Sequence, residues 1–277
     1  MHAFQLELLF QIIGIGSASG LLYHEPSLYL ISDNGAYLYQ FQTQTKALEK
    51  TLLFDNPVVE NIPKKIKPDF EAITHFEDDY FIFGSGSTPN RNKMFQYHSK
   101  NKTIKTIDLT NLYLLMQSFG NIKPEDFNIE GVVFTGEIWY FLQRGNAGTG
   151  KNGIFTVQGS NLENDFTILY NPYRLPKIKG IQSSFTDAVL VNDALYFLST
   201  AENTKSTFDD GVVLGSFVGL LNTNTMKIDF TKQISSQHKF EGISLYQSTA
   251  ATIEFLLCDD DDSDRLQTNI YKLALNK

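Results

Sequence analysis

The chain has 277 residues, of which 42% are hydrophobic, 13% aromatic and 19% charged, so it has ample apolar material for a folded core and none of the bias of a disordered chain. Its formal net charge of −8 and its scattered Lys and Arg residues argue against a nucleic-acid partner. The apolar N-terminal stretch is too short to span a bilayer and lacks the basic flank of a signal peptide. We therefore expect no membrane partner and a cytoplasmic location, or a periplasmic or secreted one if a signal has been removed; the single cysteine, Cys258, suits a reducing compartment.

Along the chain, a strand is predicted first, FQLELLFQI from Phe4, and five copies of one unit follow it. Each copy has a small or acidic pair, an apolar run, a polar turn and an aromatic-rich run such as YFIF or WYFL. We call the residues that occupy the same place in the first run the heads: Ser19, Glu71, Glu130, Asp187 and Glu241. Their separations of 52, 59, 57 and 54 residues indicate propeller blades. One insertion, TNLYLLMQSFG from Thr110, predicts a short helix on the rim, with Thr110 as its N-cap.

A third alternating run follows each hairpin, and a fourth usually follows that one. Four antiparallel strands per unit predict an all-β fold, a single five-bladed β-propeller domain over residues 1–277. The fifth unit lacks a fourth strand, and the spare strand at Phe4 is predicted to close the ring by completing it. The predicted blades cover 17–55, 69–109, 128–170, 185–234, and 240–277 with 4–12. The alternative is a β-sandwich with accidentally similar hairpins.

The heads raise a question of charge, because the first strand of each propeller blade lines the central channel. Carboxylates about 4 to 6 Å apart in a partly dehydrated channel repel one another by several kcal/mol. A hard divalent cation would neutralise them, and oxygen ligands without His or Cys favour calcium, with magnesium as the alternative ion. The predicted metal ligands are the heads Ser19, Glu71, Glu130, Asp187 and Glu241. Without a metal, the heads would sit at the rim, solvated or capping backbone amides.

The second strand of each blade returns to the same end of the channel, where further polar residues follow it. The residues predicted to bind a small anionic ligand there are Ser85, Ser87, Arg91 and Asn146. Arg144 suits a bidentate grip on phosphate or carboxylate, and an ion pair with a ring acid is equally open. Asp33 or Glu202 would orient water, so these two residues and Arg144 form the predicted catalytic set.

The heads, with FEGISL at Glu241, LYLISDNGAYLYQF from Leu28 and FLQRGN around Arg144, resemble the calcium-activated nucleotidases, the soluble apyrases. This resemblance implies a five-bladed propeller with an axial calcium that hydrolyses nucleoside di- and triphosphates. The metal ligands that it implies are Ser19, Glu71, Glu130 and Glu241, with Arg144 as a basic residue and Asp33 as an acid of the site. Asp187 departs from it, because that family has a hydroxyl there, which neighbouring Thr186 could supply. The heads DFEAI and IEGV are also similar to uncharacterised bacterial phytase-like and esterase-like propeller proteins.

Two functions are consistent with these observations. In the first, the ion assists hydrolysis of a phosphoric ester or anhydride held by Arg144. In the second, the calcium is structural and the propeller binds a ligand or a protein without chemistry. Four carboxylates and a hydroxyl come close to saturating calcium, which favours a structural ion.

Overall fold

Five antiparallel sheets make up the structure, a computed structural model that describes residues 3–145, 150–204, 211–260 and 265–277. Strands dominate because Val, Ile, Phe, Tyr and Thr alternate with polar residues in short runs, as a pleated surface requires. The strands, in chain order, are β1 (Phe4–Ile13), β2 (Ala18–His24), β3 (Ser27–Ser32), β4 (Tyr37–Gln42), β5 (Leu48–Leu52), β6 (Phe70–Phe76), β7 (Asp79–Gly84), β8 (Lys93–His98), β9 (Thr103–Asp108), β10 (Ile129–Phe134), β11 (Ile138–Gln143), β12 (Asn152–Asn161), β13 (Asp165–Tyr173), β14 (Lys177–Ile178), β15 (Ile181–Val191), β16 (Ala194–Asn203), β17 (Val212–Asn222), β18 (Lys227–Ser235), β19 (Lys239–Ser248), β20 (Thr252–Asp260) and β21 (Gln267–Asn276).

The sheets are the five blades of a β-propeller, as predicted. Blades 1 to 3 are β2–β5, β6–β9 and β10–β13, blade 4 is β15–β18 with the two-residue β14 paired to the start of β15, and blade 5 is β19–β21 with β1. The first strands of the blades, β2, β6, β10, β15 and β19, contact one another in a closed ring, and we call them the inner strands. Each inner strand therefore presents its residues to the same central channel.

The N-terminal strand closes the ring, which confirms the predicted pairing of the two ends of the chain. β1 lies antiparallel to β21, with Phe4 opposite Leu275 and Ile13 opposite Gln267. Ile12 is buried in the core and the adjacent Ile13 is exposed, because successive side chains of a strand point to opposite faces. Blade 5 thus consists of strands from both ends of the sequence.

Aromatic side chains fill the spaces between blades. Trp139 and Phe134, both of blade 3, stack with ring centroids 3.6 Å apart, and Phe81 of blade 2 meets Trp139 edge-on at 5.1 Å. Phe83 and Phe141 make a second edge-to-face pair at 5.5 Å. The aromatic side chains of the second strands therefore pack between neighbouring blades and set the distance between their inner strands.

The predicted helix is present as α1 (Thr110–Gly120), between β9 and β10. Its apolar face carries Leu112, Tyr113 and Met116 into the core. The residue before the helix is Leu109, and no side chain caps it in the way predicted for Thr110. Instead, the Asp108 carboxylate accepts a hydrogen bond of 2.8 Å from the backbone N–H of Thr110. Among the described residues, no helix is both long and apolar enough to cross a membrane.

Candidate functional site at the channel mouth

Each inner strand carries a β-bulge at the same place. The pairing register with the second strand shifts between Ala18 and Gly20 in blade 1, and the equivalent shift occurs in every other blade. The extra residues at these bulges are Ser19, Glu71, Glu130, Thr186 and Glu241. A bulge re-aims a side chain away from the regular pleat, so these five residues form one structurally equivalent set. The inner strands begin, and the second strands end, at this end of the channel, which we call the mouth.

The fourth member of the set is Thr186, and the predicted head Asp187 lies one residue further along. The positions that match Asp187 in the other blades hold small residues: Gly20, Ala72, Gly131 and Gly242. A Cβ atom on Gly131 would come within 3.3 Å of Asp187 Oδ1. The small neighbours therefore leave room between the inner strands for one larger side chain, and Asp187 occupies it.

Asp187 is a buried carboxyl group with an incomplete set of partners. Its Oδ2 accepts a hydrogen bond of 2.8 Å from the backbone N–H of Ile243, and its Oδ1 has no hydrogen-bond partner among the described residues. Burial raises the pKa of Asp187 well above its ordinary value, against the effect of the backbone hydrogen bonds. A proton on this carboxyl group removes the cost of a buried charge, so Asp187 needs no metal to be neutral.

The two hydroxyl residues at the bulges connect neighbouring blades. Ser19 Oγ donates a hydrogen bond to the carbonyl oxygen of Phe70, and Thr186 Oγ1 donates one of 2.7 Å to that of Phe240. In both cases, the acceptor is the residue just before the carboxylate at the bulge of the next blade. The two hydroxyls are therefore engaged in fixing the inner strands beside Glu71 and Glu241.

Arg144 neutralises the acids of three blades. Its Nη1 lies 2.9 Å from Glu130 Oε2 and 3.7 Å from Glu241 Oε1, and its Nη2 lies 2.7 Å from Glu202 Oε2. The guanidinium is buried, and the carboxylates around it outweigh that burial and raise its pKa above the ordinary value. Of the two interpretations open for Arg144, the structure shows the ion pair with ring acids.

Glu130 and Glu241 each also contact a hydrogen-bond donor that lies two positions earlier in the chain. The Asn128 amide donates a hydrogen bond of 2.5 Å to Glu130, and Lys239 Nζ lies 3.0 Å from Glu241 Oε1. Lys239 Nζ also lies 3.6 Å from Asp260. Burial nevertheless raises the pKa of Glu130, and raises that of Glu241 well above its ordinary value. These two acids have cationic partners from the protein itself.

Blade 2 differs, because the residue two positions before Glu71 is another acid, Asp69. Lys67 Nζ lies 2.7 Å from Asp69 Oδ1 and also bonds Asp33, and Arg91 Nη1 lies 2.7 Å from Asp69 Oδ2. Burial raises the pKa of Asp69, but Lys67 and Arg91 outweigh it and bring the pKa below the ordinary value. Both local cations are thus committed to Asp69 and Asp33.

Glu71 is the bulge carboxylate that lacks such a partner. It is partly exposed at the mouth and makes no hydrogen bond or ion pair with the residues that the structure describes. Burial within the protein raises the pKa of Glu71 well above its ordinary value, and the charges of Glu130, Asp69 and Glu241 raise it further. An additional positive charge beside Glu71 would therefore stabilise the protein.

Glu71, Asp33 and Asp69 form what we call the acidic cluster. Each offers a carboxylate oxygen, and these oxygens lie within 4.8 Å of one another. One oxygen of Asp33, Oδ1, is buried without a hydrogen-bond partner among the described residues. Burial outweighs Lys67 and raises the pKa of Asp33. Three carboxylates at this spacing, one of which has an oxygen without a partner among the described residues, fit the ligand set of a hard cation.

The mouth has an excess of acids over bases among the described residues. Nine carboxyl groups gather there: Asp33, Asp69, Glu71, Glu130, Asp187, Glu202, Glu241, Asp259 and Asp260. Four lysine and arginine side chains face them, Lys67, Arg91, Arg144 and Lys239, and His238 contacts Asp259. Protons or a bound cation must balance the remainder, since unpaired buried charges are costly.

The residues predicted to bind an anionic ligand belong to the network around Asp69. Ser85 Oγ donates a hydrogen bond to Asp69 and lies 2.8 Å from Ser87 Oγ, and Arg91 donates one of 2.7 Å to Ser87. Ser85 and Arg91 are buried, so this network fixes Asp69 from the protein interior. Asn146 lies outside the described residues.

Sequence reasoning missed Lys67, Asp69 and Lys239, although a signal for two of them exists. The residues two positions before the bulge set are all polar: Ser17, Asp69, Asn128, Ser184 and Lys239. A polar residue at one fixed offset in five repeats indicates a shared position at the mouth. Lys67 has no equivalent in the other repeats, because it enters from the long connection between blades 1 and 2.

The chain belongs to a family of unknown function, DUF6929, whose model matches residues 14–275. No curated protein matches the chain. Among solved structures, it is similar to the glutaminyl cyclase of Myxococcus xanthus, at 8% identity and a TM-score of 0.55, over 98% of this chain and 96% of that one. It is also similar to a nidogen/laminin complex, at 8% identity and a TM-score of 0.48 over 90% and 82% of the two chains. The tail fiber of Staphylococcus aureus phage P68 has 11% identity and a TM-score of 0.49 over 98% and 52%. Likeness at these identities concerns the fold alone.

Proposed function

We propose that this propeller binds a divalent cation at the acidic cluster of Asp33, Asp69 and Glu71. The observation that carries the proposal is the contrast between the bulge acids. Glu130 and Glu241 have cationic partners from the protein, whereas Glu71 has none among the described residues and two more carboxylates lie beside it. A cation would neutralise Glu71 and occupy the orphaned oxygen of Asp33.

Calcium is the ion that this ligand set favours, and magnesium is the alternative. All three ligands are carboxylates, which suit hard cations, and the cluster includes no His or Cys. Calcium completes its shell with water in a flexible geometry, while magnesium demands a near-ideal octahedron. Three carboxylates from a loop end and a strand bulge match the flexible ion better.

A binding role without chemistry is the function that the surrounding contacts favour. Arg144 is surrounded by three carboxylates, which leaves it unsuited to grip a phosphate. Glu202 is held by Arg144, and Asp33 is held by Lys67. The three residues that would carry phosphoester hydrolysis are thus all engaged in ion pairs. We infer that the ion stabilises the mouth, where the propeller binds a ligand or protein.

Calorimetric titration tests this function on protein that has first been treated with chelator. We expect the wild-type chain to bind calcium more tightly than magnesium, and Glu71→Gln to lose at least tenfold in calcium affinity because it removes a charged ligand. Glu137→Gln is the matched control, since that side chain is exposed, and it should bind as the wild type does. Equal affinities of wild type and Glu71→Gln, or no binding by either protein, would refute the site.

The same preparation separates the binding role from catalysis. Release of inorganic phosphate from nucleotides and phytate is measured with and without calcium. We expect no phosphate release above that of a blank without protein. Calcium-dependent release that Arg144→Lys abolishes would show instead that the propeller is a phosphohydrolase.

A further inference from the structure

Lys67 lies near the end of the connection between blades 1 and 2, and hydrogen bonds hold its backbone in place. The connection runs from Leu53 to Asp69 without a strand. The backbone N–H of Lys67 donates to Pro63 at 3.0 Å, and the Asn90 amide donates to the Lys67 carbonyl at 3.3 Å. Lys67 is therefore delivered to the mouth by a turn that has its own hydrogen bonds.

The ammonium group of Lys67 already sits among the proposed metal ligands. It lies 2.7 Å from Asp69, it bonds Asp33, and it is within electrostatic reach of Glu71. Lys67 is buried, so water does little to weaken these contacts. The cluster thus holds a positive charge attached to the chain itself.

A metal ion and this ammonium cannot both keep these positions. They would share the oxygens of Asp33 and Asp69, which lie within 4.8 Å of each other and of Glu71, and two cations bound to the same oxygens repel strongly. Lysine has a flexible four-carbon stem and a strongly hydrated head, so it can withdraw toward solvent at the mouth. Arg91, by contrast, is fixed by Asp69, Ser87 and the Lys64 carbonyl.

We propose that Lys67 is a built-in competitor for the ion, so that a divalent cation binds by displacing the Lys67 ammonium from Asp33 and Asp69. This inference rests on the proposed function and adds a selectivity rule to it. Replacing the Lys67 ammonium with a monovalent ion leaves the net charge of the cluster unchanged and so gains little binding energy. Replacing it with a divalent ion adds a second positive charge, which also neutralises Glu71. Lys67 thereby sets the ion concentration at which the site fills, and it excludes monovalent ions.

Selective acetylation of the wild-type protein tests the displacement without a mutation. The protein is treated with an amine-acetylating reagent in chelator or in saturating calcium chloride, and modified lysines are identified by mass spectrometry. We expect Lys67 to react at least fivefold more in calcium, because its ammonium leaves the ion pairs. Lys100, whose side chain is 73% exposed, is the internal control and should react equally in both. Unchanged or lower reactivity of Lys67 while calcium binds would overturn the inference.

The variant Lys67→Met tests the competition itself, because it keeps most of the stem and removes the charge. We expect Lys67→Met to bind calcium at least tenfold more tightly than the wild type, and the control Lys65→Met, at an exposed position of the same connection, to match the wild type within twofold. Binding by Lys67→Met but not by the wild type would overturn the displacement, because the wild-type site would then never take up the ion.

Two other outcomes separate this inference from the proposed function. Equal calcium affinities of wild type and Lys67→Met would overturn the competition while leaving the metal site standing. No binding by either protein would overturn both, and Lys67 would then be the permanent counter-ion of the cluster.

Discussion

The residue two positions before the bulge carboxylate differs between blades 2, 3 and 5, and it changes how that carboxylate is stabilised. Asn128 and Lys239 donate to Glu130 and Glu241, whereas Asp69 brings a further acid to Glu71. The difference is invisible in the heads themselves, which read FEAI and FEGI in blades 2 and 5. It follows that repeats with similar sequences can leave one bulge carboxylate without a cationic partner in the described part of the chain while the other two have one.

Asp187 gives a prediction at the residue scale, because its raised pKa links stability to pH. An acid with a higher pKa in the folded than in the unfolded state binds more protons when folded, so the free energy of unfolding rises as pH falls from the folded toward the unfolded pKa. Asp187→Asn removes this group while retaining an acceptor for Ile243. We expect the pH dependence in chelator to become shallower by up to about 1.4 kcal/mol per pH unit where Asp187 titrates.

Urea unfolding of wild type and Asp187→Asn between pH 5 and 8 measures that difference. The control variant is Asp165→Asn, an exposed position that should leave the slope unchanged. Parallel pH profiles for wild type and Asp187→Asn would mean that Asp187 is ionised in the folded protein and has a counter-ion.

At the scale of elements, the bulged inner strand is the device that builds the site. Each bulge turns one side chain toward the mouth, and the aromatic second strands hold the blades at the spacing that lets these side chains meet. β1 completes the arrangement by closing blade 5 against β21. The site therefore depends on an element that is remote from it in sequence.

The two isoleucines at the end of β1 give a matched test of this closure. Ile12 is 1% exposed and Ile13 is 67% exposed. We expect Ile12→Ala to lower the free energy of unfolding by about 2 to 4 kcal/mol, because it leaves a cavity in the core, and Ile13→Ala to change it by less than about 0.5 kcal/mol. Denaturant melts measure both, and equal losses would show that β1 does not pack as described.

The sequence was sufficient to predict the elements, because each signal for them is local. Alternating runs, the repeat spacing and the spare strand at Phe4 predicted five blades and their closure, and the helix at Thr110 was equally visible. The bulge that makes Thr186 rather than Asp187 equivalent to Glu71 depends on pairing register, which the residues Thr-Asp do not reveal. The partners of the acids were hidden for another reason: Lys67 and Arg91 reach Asp69 through loops whose paths are set by tertiary packing.

At the scale of the whole molecule, the propeller brings acids from the inner strands of blades 2 to 5 to one channel mouth, where they meet Asp33, which follows β3 of blade 1. The protein supplies four lysine and arginine side chains there, and Asp33 and Glu71 of the acidic cluster are the described carboxyl groups of the mouth that stay partly exposed. Ring closure makes this accumulation possible, because no open sheet could place five strand starts around one axis. The central claim is that the carboxyl group of Glu71 lowers the stability of the protein until a divalent cation binds beside it.

Thermal unfolding of wild type and Glu71→Gln, each in chelator and in calcium chloride, tests that claim most directly. In chelator, we expect Glu71→Gln to melt about 2 °C or more above the wild type, because it removes a carboxyl group whose pKa is higher in the folded than in the unfolded chain and which therefore costs stability at neutral pH. In calcium the order should reverse, because the wild type gains the binding energy of the ion and the variant gains little. A variant that melts below the wild type in chelator and shifts equally with calcium would contradict the account.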